Sequence, residues 1–219
     1  MHFVFLFSSG PFEFSIPATT DYTLLPLTRL HGTCQIVHKD GSIVSDDVDF
    51  STVNLFPHTL FSQLDFEIDG VNLPSNDNLY PYKAYLETLL TYGHDAKNSH
   101  LSTSHFVKDT AHNFENGLQG NKGYITRRKD VIGSRVFDFS IIPHIDFFQT
   151  SRVLPSNIPM KLKLTRSSDS FSILSHNSIN SDLCVKIHSL SLFVYRVHPT
   201  EEVRYLHNKI FSKKMHYFR

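Results

Sequence analysis

Apolar residues recur at every second position along much of this chain, most plainly within residues 133–166, GSRVFDFSIIPHIDFFQTSRVLPSNIPMKLKLTR. Phe137, Phe139 and Ile141 alternate with Asp138 and Ser140. After a polar turn and the Leu154-Pro155 step, Met160, Leu162 and Leu164 alternate with Lys161, Lys163 and Thr165. A period of two places like side chains on one face of a pleated strand, so each run predicts a strand with one buried and one polar face. Such a face has to be covered, and the usual cover is a second sheet.

The same period recurs along the chain, with turn residues between the runs. Phe12, Phe14 and Ile16 alternate with Glu13 and Ser15 until Pro17 ends the strand. Residues 29–38 form a second strand, closed by the Asp40-Gly41 turn. Leu64, Phe66 and Ile68 alternate with Asp65, Glu67 and Asp69, and Asp69-Gly70 turns the chain into Val71–Leu73. The longest strand covers 183–197, with Val185, Ile187, Leu190 and Leu192 marking its buried face around a bulge.

Helical spacing is expected in only two places. Over 80–91, Tyr82, Tyr85, Leu86, Leu89 and Leu90 fall on one stripe, and Gly93 follows as a C-terminal cap. A second helix starts after Thr200, a good N-cap, with Glu201 and Glu202 in its first turn and Lys213 and Lys214 near its end. Its apolar stripe is Val203, Leu206, Ile210 and Phe211. Residues 94–130 are polar and aperiodic and are expected to form one long loop. The expected fold is all-β, a jelly-roll β-sandwich with two short helices. A strand, a long polar connection, a Leu-Pro step and a second strand suit the crossing of the chain between the two sheets. The 219 residues suffice for one large all-β domain, and 19 Phe against no Trp suit a sandwich core.

No residue pattern announces chemistry. Lys plus Arg and Asp plus Glu balance at 21 each, so no direct nucleic-acid binding is expected. Cys34 and Cys184 are too few for a disulfide framework and read as buried free thiols. There is no Asn-x-Ser/Thr sequon, and the start, MHFVFLFSSG, lacks a basic region and is too short to span a bilayer. His94, His100, His105 and His112 lie in the polar 94–130 stretch without HExxH or HxH spacing and read as surface histidines. Asp46, Asp47 and Asp49 lack the spacing of a calcium loop, and Arg127, Arg128 and Lys129 read as a solvated triplet. Neither GxSxG, a phosphate-binding glycine loop nor CxxC occurs. No catalytic residue, metal or cofactor is expected, and the chain reads as a non-enzyme.

Four collinear segments resemble the first jelly roll of the double jelly-roll major capsid proteins of Polinton (Maverick) elements and the related adintoviruses. They are GPFEFSIPATTDYTLL (10–25), VNLFPHTLFSQLDFEIDGVNL with NLYPYKAYLETLLTYG (53–93), the 133–166 segment, and LCVKIHSLSLFVYRVHPTEEV (183–203). Leu154-Pro155 also stands where giant-virus capsid proteins carry an Ala-Leu-Pro-Leu step, but the flanking residues follow the Polinton form. The resemblance implies a jelly-roll domain over 1–198 and a linker helix over 199–219 leading to a second jelly roll that this chain does not contain. It further implies pseudo-hexagonal trimers in an icosahedral shell, with a penton and other capsid proteins as partners. The expected location is the virion capsid, after synthesis in the host cytoplasm and assembly there or in the nucleus. Tyr80, Tyr82, Tyr85, Leu206 and Ile210 are the candidate assembly residues. A lectin-like jelly-roll binding module is the rival reading, and it calls for an exposed aromatic platform beside residues 46–49. A cupin-like enzyme ranks third, weakened by the missing histidine pair.

Overall fold

A computed structural model describes the backbone of residues 2–5, 11–73, 78–114, 117–175 and 182–215, and the side chains within those ranges from 11 to 210. Residues 6–10 of the apolar start and the side chains of Phe211, Lys213 and Lys214 lie outside the described residues. One antiparallel sheet holds β1 (His2–Phe5), β10 (Leu183–Val197), β3 (Tyr22–His38) and β7 (Phe137–Ile141) in that spatial order. The other holds β2 (Phe12–Ile16), β8 (Met160–Arg166), β5 (Phe61–Ile68) and β6 (Val71–Asn72). A short pair, β4 (Phe50–Thr52) and β9 (Ile173–Ser175), stands apart from both. Of the eight strands in the two large sheets, the first pairs with the last, the second with the seventh, the third with the sixth and the fourth with the fifth. That nested pairing is what rolling one long four-against-four hairpin into a sandwich produces. The fold is a jelly roll.

Alternation positions the core. From one sheet Phe12, Phe14, Phe66, Leu162 and Leu164 point inward, and from the other Leu30, Cys34, Ile36, Phe139, Leu190 and Leu192. Two irregularities shift the inward parity along the long strands. The expected bulge in β10 lies at His188, where pairing moves from Ile187–Cys34 to Ser189–Thr33, and the buried positions change from 183, 185 and 187 to 190, 192 and 194. In β3 the pairing skips residues 25–28, and Pro26, which has no N–H for a ladder, sits in that gap. The strand therefore begins at Tyr22, earlier than the 29–38 read from the sequence. Asp69 and Gly70 both take positive φ, 50° and 77°, the two-residue turn that joins β5 to β6.

Six α-helices are present among the described residues: α1 (Phe56–Thr59), α2 (Tyr80–Thr91), α3 (His94–Lys97), α4 (Lys122–Val131), α5 (Asp169–Ser172) and α6 (Glu201–Met215). The two expected helices are α2 and α6. Gly93 does not cap α2 in a left-handed conformation, because its φ is −72°, and it precedes α3 instead.

The 94–130 stretch is not a loose loop, which corrects the sequence reading. Its first part lies along the free edge of β7, where Thr103 Oγ1 donates to Ser140 O and His105 Nε2 lies 3.4 Å from Asp138 O. An uncovered strand edge invites pairing with another chain, so this cover has a physical role. Its second part is α4, capped by Asn121, whose Oδ1 accepts from Gly123 N and Tyr124 N. Arg127, expected to be solvated, is 1% exposed. Its Nε donates to Thr52 O, Nη1 to Val107 O and Nη2 to Asp109 Oδ1 at 2.8 Å, so the guanidinium ties α4, β4 and the covering segment together. His105 is likewise buried, its rings in edge contact with Phe56 and Phe137, whereas His94, His100 and His112 are exposed as expected. Removing one partner of a buried charged pair strands the other. Arg127→Leu is therefore expected to lower the unfolding free energy by roughly 3 kcal/mol in a denaturant titration, whereas Lys129→Leu, at an exposed position, should change it little.

Candidate assembly surface

Helix α2 carries three of the candidate assembly residues, Tyr80, Tyr82 and Tyr85. The residues packed inward are Tyr80, Pro81, Ala84 and Thr88, which recur every three to four positions. Tyr82, Tyr85, Leu86, Leu89 and Leu90, the stripe read from the sequence, are the exposed large side chains of this helix, with Leu90 at 85%. The inner side carries one large aromatic, Tyr80, beside Pro81, Ala84 and Thr88, so the apolar stripe is left on the outside. Tyr80 is 2% exposed and so packs inside its own domain, which removes it from the candidate assembly residues. Tyr82 and Tyr85 do face outward, with the Tyr82 ring edge-on to Phe171 at 5.8 Å.

The inner side of α2 meets a buried polar cluster. The backbone N–H of His144 donates to Tyr80 Oη at 3.4 Å, and the same oxygen lies 2.8 Å from His58 Nδ1. His144 Nδ1 donates to Glu87 Oε2 at 2.7 Å, and Thr88 Oγ1 lies 3.4 Å from His144 Nε2. The imidazoles of His58 and His144 meet edge to face with centroids 4.9 Å apart. Burial holds His58 well below the usual histidine range, and the neighbouring His144 adds to this. Burial also lowers His144, opposed by its hydrogen bond and attraction to Glu87. Lys83 closes the outer side, 2.5 Å from Asp146 and 3.6 Å from Glu87. None of these histidines entered the sequence reading. The one shared local feature is that each follows a proline, His58 after Pro57 within α1 and His144 after Pro143 beyond β7.

Helix α6 is joined to the roll by Tyr22, whose ring stacks on His207 at 5.8 Å and whose Oη lies 2.9 Å from His207 Nδ1. Thr200 Oγ1 stands at its start, 3.5 Å from Val203 N. Val203, Tyr205, Leu206 and Ile210 are exposed, so both candidate assembly residues on this helix are accessible. Phe193, Tyr195 and Val197 add exposed apolar surface along the outer face of β10.

Other sequence candidates resolve as structure. Asp49 accepts from Tyr124 Oη at 2.6 Å, Asp47 from Ser45, and the backbone carbonyl of Asp46 from Arg128. The aromatic that reaches this loop, Tyr124, is 0% exposed, so it offers no platform for a sugar. Among the described residues no group of three or more His, Cys, Asp or Glu is arranged to hold a metal ion. Cys34 and Cys184 are free thiols. Burial pushes Cys34 up to about 12, whereas Cys184 is only half-buried. Among the described residues no helix is long and apolar enough to cross a membrane.

No protein-family model matches the chain. The Caenorhabditis elegans protein F54H12.2, itself uncharacterized, is 26% identical over 178 residues, which are 78% of this chain and 41% of that protein. Among solved structures, PBCV-1 VP54 fitted into a cryo-EM reconstruction of the virophage Sputnik aligns over 93% of this chain and 42% of its own, at 12% identity and TM-score 0.46. The mavirus major capsid protein aligns over 92% of this chain and 47% of its own, at 13% identity and TM-score 0.45. The chain thus spans less than half the length of each of these proteins.

The two tyrosines at the start of α2 should separate cleanly in a thermal or denaturant melt. Tyr80→Phe leaves His58 Nδ1 and the His144 N–H without their partner, an expected loss of about 1–3 kcal/mol. Tyr82→Ser removes an exposed ring, and its expected cost is below about 1 kcal/mol.

Proposed function

We propose that this chain is a structural capsid domain, the first jelly roll of a Polinton-type major capsid protein, which acts by assembly and not by catalysis. The observation that carries the reading is where the four resembling segments fall. Residues 10–25 supply β2 and open β3, and 53–93 supply α1, β5, β6 and α2. Residues 133–166 supply β7 and β8, and 183–203 supply β10 and the start of α6. A sequence likeness that follows the strands of one nested roll, in order, supports common architecture more strongly than any one segment would. Jelly rolls also serve lectins and cupins, so the topology does not choose among them by itself. The buried Tyr124 beside Asp49 gives the lectin reading nothing to rest on, and the polar side chains of the cluster under α2 are spent on internal hydrogen bonds.

On this reading residues 1–198 form the roll and 199–219 lead toward a second one. The pair of rolls builds trimers that meet penton and other capsid proteins in a virion. Synthesis is in the host cytoplasm, with neither nucleic acid nor a bilayer as direct partner. The exposed faces Tyr82, Tyr85 and Leu86 on α2, and Leu206 and Ile210 on α6, are the surfaces that neighbouring rolls would cover. The 94–130 stretch, anchored by Arg127, belongs to the fold. In sedimentation velocity the unmodified chain is expected to self-associate with rising concentration. Leu206→Ser with Ile210→Ser, or Tyr82→Ser with Tyr85→Ser, should weaken that association at least tenfold without changing the far-ultraviolet circular dichroism. A monomer at every concentration, before and after the changes, would count against the assignment.

A further inference from the structure

We propose that His58 and His144 form an acid-sensitive latch that holds α2 on the jelly roll and releases it when the pair takes up protons. The proposal is independent of what α2 docks against outside the chain. It begins from what lies under the helix. The inward face of α2 contributes only Tyr80, Pro81, Ala84 and Thr88, and of these Tyr80 bonds His58 while Thr88 contacts His144. Tyr80 and Ala84 belong to the apolar core, which supplies part of the anchoring, and the rest is polar. The hydrogen bonds of the helix end on two buried imidazoles, and a proton taken up by His58 places a charge in a buried site that faces His144 instead of a carboxylate.

The surroundings determine the sign. From α1 comes His58, and from the turn after β7 comes His144, their rings 4.9 Å apart. From α2 come Tyr80, Lys83, Glu87 and Thr88, and Asp146 holds Lys83 from the far side. A cavity of about 80 Å³ borders both imidazoles and reaches Arg29 on β3 and the exposed His100. Glu87 favours a charged His144 and partly offsets its burial, whereas His58 feels only burial and its histidine neighbour. Both groups therefore sit below the ordinary value of 6.5 while α2 is docked and return toward it when α2 is released. The released state then binds protons first. Docking is fully stable above about pH 6.5 and weakens as the pH falls from there toward the lower docked values. A second charge so close to the first adds repulsion.

Hydrogen exchange of the full chain, corrected for intrinsic rates, tests this between pH 7.5 and pH 5.0. Protection of the α2 amides should fall at least tenfold more than that of the paired β3 and β10 amides, and His58→Gln with His144→Gln should abolish the difference. Equal losses in α2 and the strands, or an unchanged loss in the double variant, would overturn the latch. Should the double variant not fold, proton NMR of the wild-type imidazoles decides. Midpoints below 6.5 for both sustain the proposal, and a midpoint at or above 6.5 for His58 overturns it.

Discussion

Strands β3 and β10 lie side by side along almost their whole lengths, from His38 beside Leu183 to Tyr22 beside Val197, although about 150 residues of chain separate some partners. The other elements take their places from this pairing. β1 lengthens the sheet on the β10 side and β7 on the β3 side, and the opposing sheet packs its Phe12, Phe14, Phe66 and Leu162 onto the face the two long strands present. The bulge at His188 and the gap at Pro26 let strands of this length stay paired while each shifts which positions face inward. Without those shifts one end of each strand would aim its apolar residues at solvent. Pairings so distant in sequence must close large loops first, which makes slow folding the physical expectation for this topology.

A sandwich made this way has edges, and the chain covers one of them with its least regular segment. Residues 100–105 lie against β7, and the cover stays in place because Arg127 reaches back from α4 to Thr52, Val107 and Asp109. A polar stretch that looks like an ornament is thus held by one of the largest fully buried side chains in the protein. That arrangement leaves other surfaces open, above all α2 and α6, where exposed aromatic and aliphatic groups are concentrated.

Many of the polar side chains serve to hold elements in place. Tyr124, Asp49, Arg127, Asp109, His58, Tyr80, His144 and Glu87 are engaged with one another or with backbone, so their bonding capacity goes into holding elements in place. Such satisfied networks fix the position of a helix or loop within a fold that apolar packing alone would leave less sharply defined. Both histidines of the α2 cluster are also titratable, and the same bonds that position the helix make its docking depend on their protonation state.

By itself the sequence determined the principal strands of the two large sheets, though not β1, β4, β9 or the first part of β3. The alternation of Phe12, Phe14 and Ile16, of Phe137, Phe139 and Ile141, and of Met160, Leu162 and Leu164 survives intact as inward faces, because period two is a local property of the pleat. Asp69-Gly70 was legible for the same reason, since the turn needs positive φ at two adjacent residues and little else. Which face of α2 is buried, and whether Arg127 is solvated, were not local questions. Tyr82, Leu86 and Leu90 outrank Ala84 and Thr88 in hydrophobicity, yet the inward side had to accommodate His58 and His144, which arrive from residues far away in sequence. Arg127 reads as surface until Thr52, Val107 and Asp109 converge on its guanidinium, and no spacing along the chain records that convergence. The tertiary structure alone decided these points, because the burial of a polar group depends on partners that only the folded chain brings within hydrogen-bonding distance.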